Sequence, residues 1–261
     1  MDQVALSKEN GQMANTSPLP DFVDDAEIEH PGVAEEYSAL RSVTRCLFAR
    51  HESDDFRHTV LLQSGIVWQH YNAIVLLLSH RFGKQGLVVC RALFEIVAGT
   101  LYLLQNPSLL PNFDDHGKLL FYERGLAVGL PTHELAKIAP ECEAIRLRLK
   151  AKPSKSWHGG IKGIADAVGL GDTYNLLYKD ASSAAHADAT MILSHGSRGW
   201  NRSLRRYRSP KEAQLVRYTS FWLTGYAMQQ AAKGLDLGCD KQISALCLLM
   251  NRRAKDAAMP N

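Results

Sequence analysis

The 261-residue sequence has few cysteines, no dominant charge of one sign and no long apolar run without charged residues. Its formal net charge of +3 is too small to indicate a nucleic-acid-binding protein by itself. No two cysteines form a C-x-x-C pair of the kind that holds zinc or carries redox chemistry. We expect most of them to be small core residues in a reducing compartment. The five are Cys46, Cys90, Cys142, Cys239 and Cys247.

The chain also lacks a basic start followed by an apolar run, so no secretory signal is expected and the cytoplasm is the predicted location. The most apolar segment, residues 87–104, has the length of a membrane span, but Arg91 and Glu95 lie near its middle. We therefore expect this segment to be a buried helix of a soluble core, with an unusual membrane span as the alternative. We expect no membrane partner.

Motifs that define several kinds of catalytic or cofactor site are missing. The ten histidines show no H-x-x-x-H or HExxH spacing, so we expect no metal. There is no phosphate-binding loop, and Gly159-Gly160 lacks the preceding strand of a dinucleotide site, so we expect no cofactor. No G-x-S-x-G turn surrounds Ser182 or Ser194, which argues against a conventional serine hydrolase.

Apolar residues recur at helical spacing along most of the chain, and no stretch alternates with a period of two. The sequence thus predicts an all-α protein, a single irregular bundle of seven to nine helices. Residues 1–32, rich in acids, Pro and Gly, are predicted to be a disordered acidic tail, and residues 33–256 the helical domain. Helices are predicted at about 33–52, 55–81, 84–105, 114–128, 132–152, 156–168, 173–194, 210–233 and 240–250.

Arg91 and Glu95 are four residues apart in the most apolar helix and therefore share one of its faces. A lone buried charge would cost several kcal/mol, so each needs a partner, and the other is the simplest one. Two interpretations stay open: an internal salt bridge that fixes helix packing, or an oriented guanidinium in a cavity that binds phosphate or carboxylate.

A second set of polar side chains is spaced by four residues throughout: Tyr174, Tyr178, Ser182 and His186. On a continuous helix these form one stripe, which we expect to face Arg91 and Glu95. A histidine beside a carboxylate is a possible acid or base, whereas a hydrogen-bonded polar seam is the structural alternative. The candidate catalytic residues are Arg91, Glu95, Tyr178, Ser182 and His186.

The segments RALFEIVAGTLYL and WHGGIKGIADAVGL…YNLLYKDASSAAHAD resemble those of an uncharacterised all-helical bacterial family, a domain of unknown function. That family has an Arg-x-x-x-Glu helix, then a Trp, then Tyr-x-x-x-Tyr-x-x-x-Ser-x-x-x-His. The similarity covers about residues 57–194. It implies a helical fold and directs attention to the same polar residues and to Trp157, but it implies no known reaction.

A distant likeness to a helical RNA-cleaving superfamily rests on an Arg and a His a few residues apart. Arg45 and His51, in RCLFARH, fit that spacing. Chance alone predicts about two such matches in a chain of this composition. We therefore do not assign the catalytic role of the superfamily's Arg and His to Arg45 and His51. We expect both residues on the solvated side of the first helix.

The net charge divides unevenly along the chain. Residues 1–36 hold nine acids and one base, a net −8, and the remaining 29 bases and 18 acids give +11. One acid-free stretch, 198–211, contains Trp200 and Tyr207, and a second, 145–163, contains Trp157. Such stretches can bind phosphates and stack bases, or can be solvated connectors whose charges the acidic tail screens. The candidate nucleic-acid-binding residues are Trp157, Arg198, Arg202, Arg205, Arg206 and Arg208.

Two functions are compatible with these sequence features. The first is an intracellular effector that acts on nucleic acid, with RNA cleavage in a bacterial defence or toxin setting as its most specific form. The second is a non-catalytic helical module that binds a protein or a small anionic ligand. RNA or another polyanion is the expected partner in the first, and a homodimer is left open in both.

Overall fold

The computed structural model describes residues 18–49, 54–130, 132–151, 160–178, 181 and 210–258, and the structural statements below refer to these. They form ten α-helices, a 3₁₀ turn at Pro107–Leu109 and a π-helical turn at Tyr174–Tyr178, and contain no strand. The all-α class is therefore confirmed, but the helix count of seven to nine is wrong. The helices are α1 Asp21–Glu29, α2 Val33–Phe48, α3 Asp55–Ser79, α4 Gly83–Gln105, α5 Leu110–Val128, α6 Thr132–Ala151, α7 Ile161–Ala167, α8 Gly171–Thr173, α9 Pro210–Gly234 and α10 Asp240–Ala258.

Part of the segment expected to be a disordered tail is a helix. Val23 and Ala26, three residues apart on α1, are fully buried in the core. The carboxylate of Glu27 then accepts hydrogen bonds from the backbone N–H groups of Gly32 and Ala34, both at 2.7 Å, and so caps the start of α2. The prediction of disorder was based on the acidic composition and overlooked Val23 and Ala26, which are at helical spacing. Residues 1–17 lie outside the described residues.

The predicted α-helix over residues 173–194 begins as a π-helical turn instead of a regular α-helix. The short helix α8 leads directly into the π-helical turn, and Ala181 is again helical. A π-helical turn has more residues per turn than an α-helix. Residues spaced by four, such as Tyr174 and Tyr178, therefore do not align here as they would on an ideal α-helix. Residues 182–194 lie outside the described part of the chain.

Helix α4 lies between α3 and α9, and α7 and the π-helical turn also pack against it. It is the one helix in the described ranges that is long and apolar enough to cross a membrane, with a mean hydropathy of 1.9 in its most apolar window. Half of that window is buried inside the protein. The contacts with α3, α7, α9 and the π-helical turn place α4 at the centre of the described helices.

Helices α5 and α6 form an antiparallel hairpin that packs mainly on itself. Its core cluster consists of Leu119, Cys142 and Ile145, and Leu135 on α6 is also buried. Ion pairs cross the hairpin, including Lys118 Nζ to Glu141 Oε1 at 2.6 Å and a pair between Arg148 and Asp115. The hairpin is therefore a small satellite of the main core.

The structure pairs Cys46 with Cys239 in a disulfide, a pair that the expectation of small core cysteines in a reducing compartment did not include. The other three have free thiols, and Cys90 and Cys142 are buried as expected. Burial raises the pKa of the Cys90 thiol to about 12. Cys46 and Cys239 are 193 positions apart, so no local spacing signal could have indicated the pair. A cytoplasmic location stays a prediction.

Candidate functional site

Three side chains of the predicted site meet on the side of α4 that faces the π-helical turn. The Arg91 Nε donates to Glu95 Oε1 at 3.2 Å, and the Arg91 Nη2 donates to the Tyr178 hydroxyl at 3.1 Å. The Tyr178 hydroxyl in turn donates to Glu95 Oε1 at 2.8 Å. The three groups thus close a ring of hydrogen bonds, which we call the Arg–Glu–Tyr cluster. It joins α4 to the π-helical turn.

Aromatic packing holds Tyr178 in this position. Its ring stacks on Tyr174 with the centroids 4.8 Å apart and an angle of 18° between the planes. Phe94, which is buried on α4, contacts both tyrosine rings at centroid distances of 5.8 and 6.3 Å. The guanidinium carbon of Arg91 lies 4.9 Å from the centroid of the Tyr178 ring, which adds a cation–π contact.

The charges of this cluster are less buried than their place in an apolar helix suggested. The side chain of Arg91 is 25% exposed and that of Glu95 is 42% exposed. Burial raises the pKa of Tyr178, and its hydrogen bond to Glu95 raises it further, so the hydroxyl stays protonated at neutral pH. The cluster is therefore a partly solvated site at the surface of the core, and its salt bridge does not lie in the interior.

The other predicted site residues lie outside the described residues. Ser182 and His186 follow Tyr178 in the chain, and their meeting with Arg91 or Glu95 stays a prediction. The same holds for Trp157, Arg198, Arg202, Arg205, Arg206 and Arg208. Of the pair taken from the RNA-cleaving superfamily, Arg45 is exposed on α2, and His51 lies outside the described ranges.

Part of the second basic stretch is paired with acids. Arg146 Nη2 lies 3.2 Å from Glu123 Oε1, and Lys162 Nζ lies 2.7 Å from Asp166 Oδ2. Arg148 pairs with Asp115. The charges of these bases are therefore partly neutralised by carboxylates of α5 and α7, which weakens this stretch as a polyanion site.

Some of the acids near the start of the chain also form ion pairs with arginines of the helical body. Glu29 pairs with Arg81, and Glu35 pairs with Arg252 and Arg253. Together with the cap formed by Glu27, these contacts engage part of the acidic charge of residues 21–36, whereas Asp21, Asp24 and Asp25 are exposed.

The most buried charge in the described region was not predicted from the sequence. It is Glu36 on α2, whose side chain has no exposed surface. Arg217 on α9 binds it with two hydrogen bonds, from Nη2 to Oε1 at 2.6 Å and from Nε to Oε2 at 3.1 Å. The Nε of Arg253 on α10 lies 2.9 Å from Glu36 Oε1. Burial raises the pKa of Glu36, and the hydrogen bonds and charges of the two arginines act in the opposite direction.

A signal for this buried group was present in the register of the helices. Glu36 occupies the same face of α2 as Val33, Tyr37 and Leu40, all of them buried. Arg217 likewise falls on the apolar face of α9 beside Val216. A charged residue in a core-facing register needs a partner of opposite sign. The register indicates the need, but it does not indicate which helix supplies the partner.

The structure is that of an all-helical protein with a partly solvated Arg–Glu–Tyr cluster beside its central helix. No group of three or more potential metal ligands occurs among the described residues. Residues 65–202 match DUF5677, a family of unknown function. This segment is more than half of the 261 residues, so the chain belongs to DUF5677. The resemblance to an uncharacterised helical family is thereby confirmed.

No curated protein and no solved structure matches the chain.

Proposed function

We propose that this protein acts on nucleic acid, with the Arg–Glu–Tyr cluster at the reacting phosphodiester and the arginines of residues 198–208 holding the strand. The observation that carries the proposal is the partly solvated guanidinium of Arg91, which Glu95 and Tyr178 orient from two sides. An oriented guanidinium suits the binding of phosphate because its donors match the phosphate oxygens.

The attachment of the arginine-rich segment supports this arrangement. Ala181, before the segment, and Ala213, after it, are buried in the same core cluster as Phe94 on α4. The segment between Ala181 and Ala213 is therefore attached at both ends to the core cluster that lies beside the Arg–Glu–Tyr cluster. The five arginines at 198, 202, 205, 206 and 208 are tethered at both ends to this part of the bundle.

The most specific form of the proposal is RNA cleavage. His186 takes the proton of a 2′-hydroxyl, whose oxygen then forms a bond to the adjacent phosphorus. The bond to the 5′-oxygen breaks, and this leaving group takes up a proton from solvent. Arg91 stabilises the negative charge that develops on the phosphorane. Tyr178 and Glu95 act as positioning residues for Arg91.

The test is binding and cleavage of a 5′-labelled single-stranded RNA, measured by fluorescence anisotropy over a salt series and by gel analysis. Replacing the five arginines of 198–208 by Gln should reduce the slope of log K against log salt by about 0.7 for each phosphate that the variant no longer binds. The matched control replaces Arg146 and Arg148, which already pair with carboxylates, and should leave the slope unchanged.

The catalytic step has its own test. His186→Ala should lower the cleavage rate by about 10²–10⁴-fold while RNA affinity stays the same, because a general base contributes on that order. An RNA with 2′-O-methyl groups should bind and remain intact. If wild-type protein neither binds nor cuts RNA at low salt, nucleic-acid action is wrong. If it binds but His186→Ala cuts equally fast, the catalytic assignment is wrong.

One observation favours the second candidate function, a non-catalytic binding module. Arg91, Glu95 and Tyr178 bind one another in a closed ring of three hydrogen bonds, as in a structural seam. In that case Tyr178→Phe lowers the free energy of unfolding by about 1–3 kcal/mol, since it leaves partly buried polar groups with fewer partners. RNA binding and cleavage would then be absent from the wild type as well.

A further inference from the structure

A cavity of about 330 Å³ lies between the π-helical turn, α9 and α10. We call it the α9–α10 cavity. Leu176 and Leu177 line one wall, Leu215 and Trp222 line the α9 wall, and Met250 lines the α10 wall. Its volume falls in the range of sites that hold small molecules. None of its described lining residues belongs to the Arg–Glu–Tyr cluster.

The rim of this cavity exposes large apolar side chains. Leu176 is 74% exposed, and Leu215 and Trp222 are also exposed. Exposed apolar side chains around one opening are typical of a ligand-binding or interaction surface, because the exposure of apolar surface to water is unfavourable. The wall beneath them is anchored, since Leu177 and Phe221 are buried in the two core clusters. The cavity is therefore an apolar pocket with a fixed floor and an apolar mouth.

The polar groups of the wall define the charge that a ligand can carry. Arg253 is the charged residue among the described lining residues, and its Nη2 donates to the Gly32 carbonyl at 3.1 Å. The same guanidinium pairs with Glu35 at 3.1 Å and with Glu36 at 2.9 Å. Arg253 Nη1 also lies 3.7 Å from Asp256 Oδ2. The charges of Arg217, Arg252 and Arg253 are thus balanced by three carboxylates, those of Glu35, Glu36 and Asp256. The other polar side-chain groups of the described lining are the hydroxyls of Thr173, Tyr218 and Thr219 and the indole N–H of Trp222.

We propose that the α9–α10 cavity is a binding site for a neutral, mainly apolar small molecule. The leucines, Trp222 and Met250 bury the apolar body of this ligand, and the sulfur-containing and aromatic side chains adapt to its shape. The hydroxyls of Thr173 and Thr219 accept or donate a hydrogen bond to a single polar group. An anionic ligand is disfavoured because Arg253 already has its carboxylate partners.

The test uses N-phenyl-1-naphthylamine, a neutral probe that fluoresces in apolar sites, titrated against the whole 261-residue chain. We expect saturable binding at one site per chain. The anionic probe 1-anilinonaphthalene-8-sulfonate should bind at least tenfold more weakly. Ala254→Trp should reduce the affinity for the neutral probe at least tenfold, because Ala254 lines the cavity at its edge, so that the larger side chain enters the space without disturbing the core.

A matched pair of leucines provides the control. Leu176→Asp places a charge on the cavity rim and should weaken binding of the neutral probe at least tenfold. Leu248→Asp alters an equally exposed leucine on α10 that is not among the described lining residues, and should leave binding unchanged. Circular dichroism checks that all variants fold. Absence of saturable binding by the wild type, equal binding of both probes, or unchanged binding in folded Ala254→Trp would each overturn the proposal.

Discussion

Glu36 is buried with two arginines around it, and this sets the energetic consequences of changing it. A buried carboxylate loses its hydration, and only well-placed hydrogen bonds and opposite charges offset that loss. Arg217 supplies a two-point contact and Arg253 a further charge. The three residues come from α2, α9 and α10, so the ion pairs also fix the relative positions of three helices.

Replacing Glu36 by Gln should therefore be strongly destabilising. It leaves the buried Arg217 without its counter-ion, and we expect the free energy of unfolding to fall by about 3–5 kcal/mol. The adjacent Glu35, whose side chain is 51% exposed, is the matched control, and Glu35→Gln should cost about 0–1 kcal/mol. Urea unfolding followed by circular dichroism measures both. Equal effects would show that burial of Glu36 has no special cost.

His30 gives the fold a pH dependence of predictable sign. Burial lowers the pKa of His30, and the nearby charge of Arg217 lowers it further. In the unfolded chain His30 binds a proton near pH 6.5, whereas in the folded chain it does so only at lower pH. The free energy of unfolding therefore decreases as the pH drops below about 6.5.

His30→Gln should make the unfolding free energy less dependent on pH between about 7 and 5, the range in which an unperturbed histidine titrates. His133→Gln, on the exposed part of α6, is the comparison variant. Chemical denaturation at several pH values measures the slopes. An unchanged slope in His30→Gln would show that another group controls acid sensitivity.

At the scale of single helices, α4 depends on glycine at one position and not at another. A Cβ added at Gly83 would lie 2.8 Å from the backbone nitrogen of Ala213 on α9, whereas a Cβ at Gly99 meets nothing within 4 Å. Gly83 therefore permits the close approach of α4 and α9. Gly99 serves no such purpose in the described part of the structure.

Gly83 and Gly99 of α4 should respond in opposite directions to alanine. Gly83→Ala pushes α4 away from α9 and should cost about 1–3 kcal/mol. Gly99→Ala lowers the entropy of the unfolded chain and should stabilise by about 0.5–1 kcal/mol. Thermal unfolding of the two single variants separates these outcomes. A gain in stability from Gly83→Ala would mean that the two helices are not held in close contact.

The helix boundaries show which local signals carry structure. Periodicity together with Gly and Pro breaks predicted α3, α4 and α9 to within a few residues. Helix α1 was missed because its two buried residues are surrounded by acids. The π-helical turn was missed because neither residue composition nor hydrophobic periodicity indicates an extra residue in a single helical turn. For such features the decisive contacts are tertiary, and propensity is a weak guide.

The meeting of Arg91, Glu95 and Tyr178 was predictable from residue spacing, as were most helices, whereas the roles of Ser182 and His186 stay predictions. Arg91 and Glu95 share a face of α4, and the expectation that Tyr178 faces them rested on the small residues that follow it. The ion pair of Glu36 could not be predicted, because Glu36 and Arg217 are 181 positions apart and nothing local links them. The degree of exposure of Arg91 also depends on how neighbouring helices pack, which the sequence does not state.

At the scale of the whole molecule, the disulfide between Cys46 and Cys239 closes a loop of the chain spanning 193 positions. Such a bond restricts the unfolded chain, so its reduction should lower the free energy of unfolding by about 2–5 kcal/mol. Denaturation with and without a thiol reductant measures this loss, and Cys46→Ser should show the reduced stability in both conditions. If reductant leaves wild-type stability unchanged, the bond contributes nothing to folding.

The whole segment that matches DUF5677, residues 65–202, lies between the two bridged cysteines. A protease that cuts the backbone at one place in that segment would leave two pieces held together by the sulfur atoms. On a gel the nicked chain would run as one species until it was reduced. The protein would then release its pieces only where reducing conditions prevail, which makes the integrity of this chain depend on the redox state around it.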